Sequence, residues 1–145
     1  MSNVAIRFEN LNQLDHIGRM QQVKKEGAKM AYRSFEELDI WKRACRLAVR
    51  TYEILKDCRD YGLKDQITSA VVSIASNIAE GVERNSKTEY IRYMHIAKGS
   101  SAELRTQVYI AQQIGIYPDT QTAEFIAELK EISAMLHGLI KSLSR

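Results

Sequence analysis

Proline occurs once in this sequence, at Pro118, and only seven glycines are spread over its 145 residues. Sandwiches, barrels and loop-rich folds need far more chain-breaking residues, so this punctuation excludes them and leaves long helices. Long apolar runs are missing as well. No window approaches the roughly 18 uninterrupted apolar residues of a membrane span, and the N-terminus lacks the apolar core and small-residue cleavage site of a signal peptide. These absences predict a cytoplasmic chain with no membrane association. Cysteine is scarce: Cys45 and Cys58 stand thirteen positions apart, roughly 20 Å if both lie on one helix, which is too far for a disulfide within one chain. Neither has a Cys or His neighbour at metal-ligand spacing, so both read as small buried side chains in a reducing compartment.

A one-signed charge is also lacking where it would matter most. The formal net charge is +3, but residues 1–33 hold six Lys/Arg against three Asp/Glu, and residues 34–145 hold fifteen of each. All of the surplus sits in the leader. Any argument for nucleic acid must therefore rest on how charge is distributed rather than on its total.

What the sequence does have is helical periodicity. With 45% apolar residues, the chain is long enough for one domain with a real core. Residues 1–33 are polar, include Gly18 and Gly27, and read as a loosely ordered or partly helical leader. Residues 34–145 read as four helices, over about 35–59, 63–84, 87–114 and 120–143. Ser34 with Glu37, and Ser86 with Glu89, match the capping box that opens a helix. In the first helix Leu38, Trp41, Cys45, Ala48, Tyr52 and Leu55 form one apolar stripe, and Ala44, Leu47, Thr51, Ile54 and Cys58 form a second. The second helix carries Leu63, Ile67, Ala70, Val71, Ile74, Ile78 and Val82, beside a line of small polar residues, Ser69, Ser73, Ser76 and Asn77. The third runs through an unbroken heptad series, Tyr90, Met94, Ala97, Ser101, Leu104, Val108 and Ala111. Pro118 forces a turn, Asp119 or Thr120 is placed to cap the last helix, and Ile126, Leu129, Leu136 and Ile140 continue the apolar spacing there. Connections this short reverse the chain at each join, which predicts an all-α, antiparallel up-down-up-down four-helix bundle. The first and last helices carry apolar faces wider than one seam needs, which predicts a homo-oligomer.

Three blocks of this sequence go further. Tyr32-Arg33-Ser34-Phe35-Glu36-Glu37-Leu38-Asp39-Ile40-Trp41-Lys42, Ser73-Ile74-Ala75-Ser76-Asn77-Ile78-Ala79-Glu80-Gly81 and Gly99-Ser100-Ser101-Ala102-Glu103-Leu104 stand in an order and at separations that resemble a four-helix-bundle family encoded in intervening sequences of bacterial 23S rRNA genes. The resemblance runs from about Tyr32 to the C-terminus and omits the leader. Ala75 departs from it, standing where the family usually has proline, so the second helix should be straighter. The resemblance implies assembly into a ring or barrel, commonly a homopentamer, with no known catalysis. It also implies a relation to accessory proteins of diversity-generating retroelements, which are thought to bind nucleic acid and a reverse transcriptase.

The candidate binding residues are basic. Lys42, Arg43, Arg46 and Arg50 fall within nine positions of the first helix, with the three arginines along one face, and such a stripe can track a phosphate backbone. Ion pairing with Glu124, Glu128 and Glu131 of the last helix, in the same or a neighbouring chain, accounts for the stripe equally simply. A second set, Arg84, Lys87, Arg92, Lys98 and Arg105, lies near the third helix with Tyr90 and Tyr93 interleaved. Tyrosines can stack on unpaired bases, and Tyr93 reads as freer than Tyr90, which belongs to the core heptad. Asn77, Glu80 and Glu103 superficially match the inward carboxylates of a di-metal bundle, but the required Glu-x-x-His pairs are missing. His16, His95 and His137 are far apart in the sequence. A structural role for Glu80 and Glu103, pairing with an arginine or capping backbone, is the expectation. No nucleophile triad, P-loop or dinucleotide turn is present, so neither an enzyme nor a cofactor is expected. The reading is an oligomeric, non-enzymatic RNA-binding protein, with a scaffold or reverse-transcriptase accessory role as the alternative.

Overall fold

The structure is a computed structural model that describes residues 34–145; the expectations for the leader concern residues outside this range. Four helices follow one another: α1 (Asp39–Ile54), α2 (Tyr61–Glu83), α3 (Lys87–Gln113) and α4 (Asp119–Leu143). They form an all-α bundle, with no strand among the described residues. Each helix packs on the next in sequence, and α1 also meets α4.

The core is the sequence pattern made solid. Met94, Ala97, Leu104, Val108 and Ala111 of the α3 heptad are fully enclosed, and so are Ile67, Val71, Ile74 and Ile78 of α2 and Phe125, Leu129, Ile132 and Leu136 of α4. Each such large side chain contributes about 1.5–3 kcal/mol by leaving water. In α1 it is the second stripe that points inward: Ala44, Leu47 and Thr51 are buried, whereas Trp41, Cys45 and Ala48 are half-buried and Tyr52 is exposed. The broad apolar face of α4 is taken up within the chain. The exposed large apolar side chains lie instead on α1, α2 and α3.

Helix ends depart from the expected boundaries in four places. Ser34 makes no side-chain cap; Phe35–Glu37 is a short 3-10 turn, and α1 begins only after Leu38, whose backbone is extended (φ −72°, ψ 124°). That kink buries Leu38 and sets Phe35 edge-on against Trp41 at 5.3 Å. The first helix also stops at Ile54, so Cys58 lies beyond it, and both cysteines are free thiols. Asp60, rather than a residue nearer 63, opens α2: its Oδ1 accepts from the Leu63 N–H at 3.1 Å. At α4 neither Asp119 nor Thr120 is the cap. Pro118 holds that position, and Asp119 Oδ1 instead accepts from Gln112 Nε2 across the turn at 3.1 Å. Ser86 behaves as expected, its Oγ accepting from the Glu89 N–H at 3.3 Å.

The turn between α3 and α4 is built around Gly115, the one described residue with positive φ (77°). Gly115 N–H donates to Gln112 O at 3.1 Å and Ile116 N–H to Ala111 O at 2.8 Å, the paired bonds of a glycine-terminated helix. Tyr117 then dives into the core edge-on to Phe125 at 5.2 Å. Burial pushes its phenol well above the ordinary range, with the neighbouring Thr51 hydroxyl and Arg50 charge acting in the opposite direction.

Between α2 and α3 the backbones come close because side chains are small. A Cβ on Gly81 would lie 2.8 Å from both Met94 Cε and Tyr93 Cβ. Further along, Ser73 Oγ and Ser100 Oγ share a hydrogen bond at 2.9 Å, and Asn77 Nδ2 donates to Ser73 O and Oγ at 2.7 and 2.9 Å. Of the small polar line of α2, Ser73 and Asn77 thus take part in this seam while Ser69 and Ser76 are exposed, and α2 runs unbroken through Ala75.

Candidate nucleic-acid interface

The two basic sets meet different fates. On α1, the arginine stripe faces α4. Arg43 is 9% exposed, and it forms a two-pronged pair with Glu128, Nε to Oε1 and Nη2 to Oε2, both at 2.7 Å. Its remaining edge meets Met135 Sδ at 3.4 Å. The Glu128 bond holds the guanidinium charged against the cost of burial. One turn or two along, Arg50 Nη2 donates to Glu124 Oε2 at 3.0 Å, and Arg46 has interactions of its own. Two of these arginines therefore act as struts between the first and last helices. Ion pairing within the same chain, not an open phosphate track, is what the structure finds for Arg43 and Arg50. Lys42 stands in no ion pair among the described residues.

The second set gathers at the corner where α2 turns into α3. Arg84 and Arg92 both place their guanidinium carbons over the Tyr93 ring, 5.1 and 4.9 Å from its centroid. Tyr93 donates its hydroxyl to Glu80 Oε1 at 3.1 Å and accepts from Arg84 Nη2 at 2.9 Å; Arg84 Nη2 also donates to Glu80 at 2.9 Å. Arg92 is held from its other side by Glu89, at 3.2 and 3.3 Å. The Arg84 bond, then the Tyr93 bond, keep the Glu80 carboxyl below its ordinary range. Lys87 Nζ reaches Arg145 O at 2.9 Å. Unlike Arg43, these guanidiniums remain at the surface, with side chains 48% and 56% exposed.

Tyr93 is thus the tyrosine that sequence reasoning placed wrongly. It is 8% exposed, more enclosed than Tyr90, because the missing side chain at Gly81 draws α3 in until Tyr93 Cβ covers the gap. It is a platform for the two arginines and has no open face of the kind base stacking needs. Glycine inside an apolar helical run was the signal for this close approach. Lys98 lies apart, its Nζ 3.4 Å from His137 Nδ1, and Arg105, half-buried, is in no ion pair among the described residues. Asn77 donates to Ser73 and Glu80 accepts from Arg84, whereas Glu103 meets neither an arginine nor a backbone cap: its Oε1 accepts from Gln107 Nε2 at 3.3 Å.

With the bundle and the corner described, the likeness to known proteins can be placed. A family model described as the 23S rRNA-intervening sequence protein matches residues 36–138. The chain belongs to that family. Its fold is similar to the crystal structure of a protein of unknown function from the S23 ribosomal protein family of Bacteroides thetaiotaomicron. The two share 22% identity and a TM-score of 0.66, and the match covers 70% of this chain and 98% of that one. No curated protein matches it. Membership agrees with the block order read from the sequence, and the matched residues exclude the leader.

Proposed function

We propose that this member of the 23S rRNA-intervening sequence family is a non-catalytic, oligomeric, cytoplasmic protein that associates with RNA by contacting its sugar-phosphate backbone. The observation that carries this reading is the pair of exposed guanidiniums on Tyr93. The two guanidiniums share one ring within about 10 Å of each other, a Debye length at ordinary ionic strength, and each is held charged chiefly by its own carboxylate, Glu80 for Arg84 and Glu89 for Arg92. One phosphate can therefore meet two fixed positive charges at once. A guanidinium has five donors in a planar fork, and the Glu80 and Glu89 bonds occupy only part of each fork, so the unused edges are held in fixed directions for a phosphate oxygen. Lys87 adds a third charge at the same corner, and repetition around an oligomer multiplies a contact that is weak alone.

Fluorescence anisotropy with a labelled RNA, titrated in salt, tests this. The expected result is an affinity that falls steeply as salt rises. The slope of log affinity on log salt should shrink by about one for each of Arg84→Gln and Arg92→Gln, while Arg43→Gln leaves it unchanged. Binding insensitive to salt, or indifferent to both corner substitutions, overturns the proposal. A protein-binding scaffold, such as an accessory subunit of a polymerase, is the second reading. It is favoured by the apolar side chains that α2, α3 and the C-terminal cap of α3 leave in solvent, Val72, Ile96, Ile110 and Ile114.

A further inference from the structure

On α3, Lys87, Ile91, His95, Lys98, Ala102 and Arg105 recur at steps of three and four, and on α4 so do Ala127, Lys130, Ala134, His137 and Lys141. Each series therefore occupies one helix face. Two contacts tie the faces together: Lys87 Nζ donates to Arg145 O at 2.9 Å, and Lys98 Nζ stands 3.4 Å from His137 Nδ1. They fix an antiparallel register that brings Ala102 beside Ala134 and Arg105 beside Lys130. The two stripes thus wall one shallow groove between α3 and α4. Its middle is small-sided, for Ala102 and Ala134 are exposed and a Cβ on Gly138 would meet nothing within 4 Å. From Lys87 to Arg105 it runs about 27 Å at 1.5 Å per residue.

The sign of its charge sets this groove apart. Lys87, Lys98, Arg105, Lys130 and Lys141 line it, and no Asp or Glu falls on either stripe. Residues 34–145 hold as many acids as bases, so the carboxylates are sorted to other faces, and on α3 and α4 each has a place. Glu89 holds Arg92, Glu103 takes Gln107, and Asp119 takes Gln112. Glu124 and Glu128 reach Arg50 and Arg43 on α1, and Glu131 acts on the Arg43 charge from the same side. None of the five groove cations has an Asp or Glu partner among the described residues. Lys87, Lys130 and Lys141 are exposed, while Lys98 and Arg105 are half-buried, the usual state of a cationic side chain whose stem lies along a helix. Cations on both walls with no carboxylate between them sum to a field that selects a polyanion.

We propose, resting on the association with RNA put forward above, that a single strand of RNA lies along the α3–α4 groove with its phosphates held by the cations of both walls. Lys87 stands at the Arg84–Arg92 corner and also at the head of the groove, so the strand runs from that corner toward Arg105 and Lys130. Packed helices have axes about 8–10 Å apart, so the two cation rows converge on one backbone. A duplex offers its two phosphate rows across a wide, shallow minor groove and cannot bring both to a trough this narrow. Tyr109 continues the α3 stripe one turn past Arg105 and is 45% exposed. Its ring gives an unpaired base the stacking surface that the enclosed Tyr93 does not, and a base inside a duplex is closed to it.

Fluorescence anisotropy on the full chain tests this with a labelled single-stranded uridylate oligomer and a labelled RNA duplex of the same length. The single strand is expected to bind about tenfold tighter or more. Lys98→Gln/Lys130→Gln takes one cation from each wall and is expected to weaken single-strand binding about tenfold, with a salt slope flatter by about 0.7 for each lost contact. Tyr109→Ala is expected to weaken the single strand and leave the duplex as it was, and Lys56→Gln/Lys64→Gln, off the groove, to change neither. Each variant is checked for an unchanged melting curve. In the wild-type chain, the ring signals of His95 and His137 are expected to move in an NMR titration with the unlabelled strand, a readout that needs no variant. A chain that binds no RNA of either form removes the proposed function and the groove together. RNA binding that weakens with Arg84→Gln and Arg92→Gln but not with the groove pair, while both histidine signals stay still, keeps the proposed function and overturns the groove. Equal affinity for strand and duplex overturns the single-strand assignment. Poly-glutamate that displaces the RNA at equal charge concentration gives the groove to an acidic protein segment and likewise overturns it.

Discussion

The α2–α3 seam and the α1–α4 seam join helices of the same bundle by opposite means. The first works by subtraction: Gly81, Ser73 and Ser100 remove bulk so that backbones approach, and what polar groups remain bond to one another. The second works by reach: the long side chains of Arg43 and Arg50 cross to carboxylates on α4. A seam made of small residues tolerates almost no added volume, whereas a seam made of ion pairs depends on each charge keeping its partner. The contrast also explains why a basic stripe need not be a ligand surface. Charges spaced along a helix face can be spent on a neighbouring helix.

Thermal or denaturant unfolding can break this comparison at either seam. The largest effect expected is from Gly81→Leu, where the first added carbon already lies 2.8 Å from Tyr93 and Met94; a loss of about 3 kcal/mol follows from overpacking. If that variant is as stable as wild type, the subtraction account is wrong. Glu128→Gln comes next, because it strands a guanidinium that is mostly buried, and a loss of about 2 kcal/mol is expected. Glu124→Gln removes the partner of Arg50 at a carboxylate 73% exposed, and should cost under about 0.5 kcal/mol. Equal losses from these two would show that burial does not separate the struts. The smallest effect is at the surface corner. The Glu80 carboxyl titrates below its ordinary value, so its contribution is present at neutral pH and is lost as pH falls through the depressed value. An NMR titration should find that value moving up toward normal in Arg84→Gln; an unmoved titration removes Arg84 as the main cause.

Much of this architecture could be read before any coordinates. The α3 heptad from Met94 to Ala111 is buried residue for residue, since a long regular apolar repeat leaves one way to hide it. The Ser86 cap and the Pro118 turn were legible for the same local reasons. What the residues alone left open depended on partners distant in the chain. Whether Arg43 faces solvent or Glu128 is decided by α4, 85 positions away, and the order of Tyr90 and Tyr93 by a glycine on another helix. In α1, two stripes of equal quality competed for the core, and periodicity does not say which one wins. Ser34 fits a capping box as a pattern, but burying Leu38 outweighs one capping bond. Of the candidate site, the arginine cluster was visible as a charge run, whereas its assembly on a tyrosine was not.

The Gly81 notch and the Ser73–Ser100 bond sit 8 positions apart on α2, and their α3 partners, Met94 and Ser100, sit 6 positions apart. Together they act like two teeth of a key. A helix pair greased only by aliphatic layers can creep by a turn and still bury oil, but here such a slip would drive Tyr93 into a side chain and pull two hydroxyls apart at once. The hairpin is thereby indexed to a single vertical setting, and any surface that spans both helices inherits that setting.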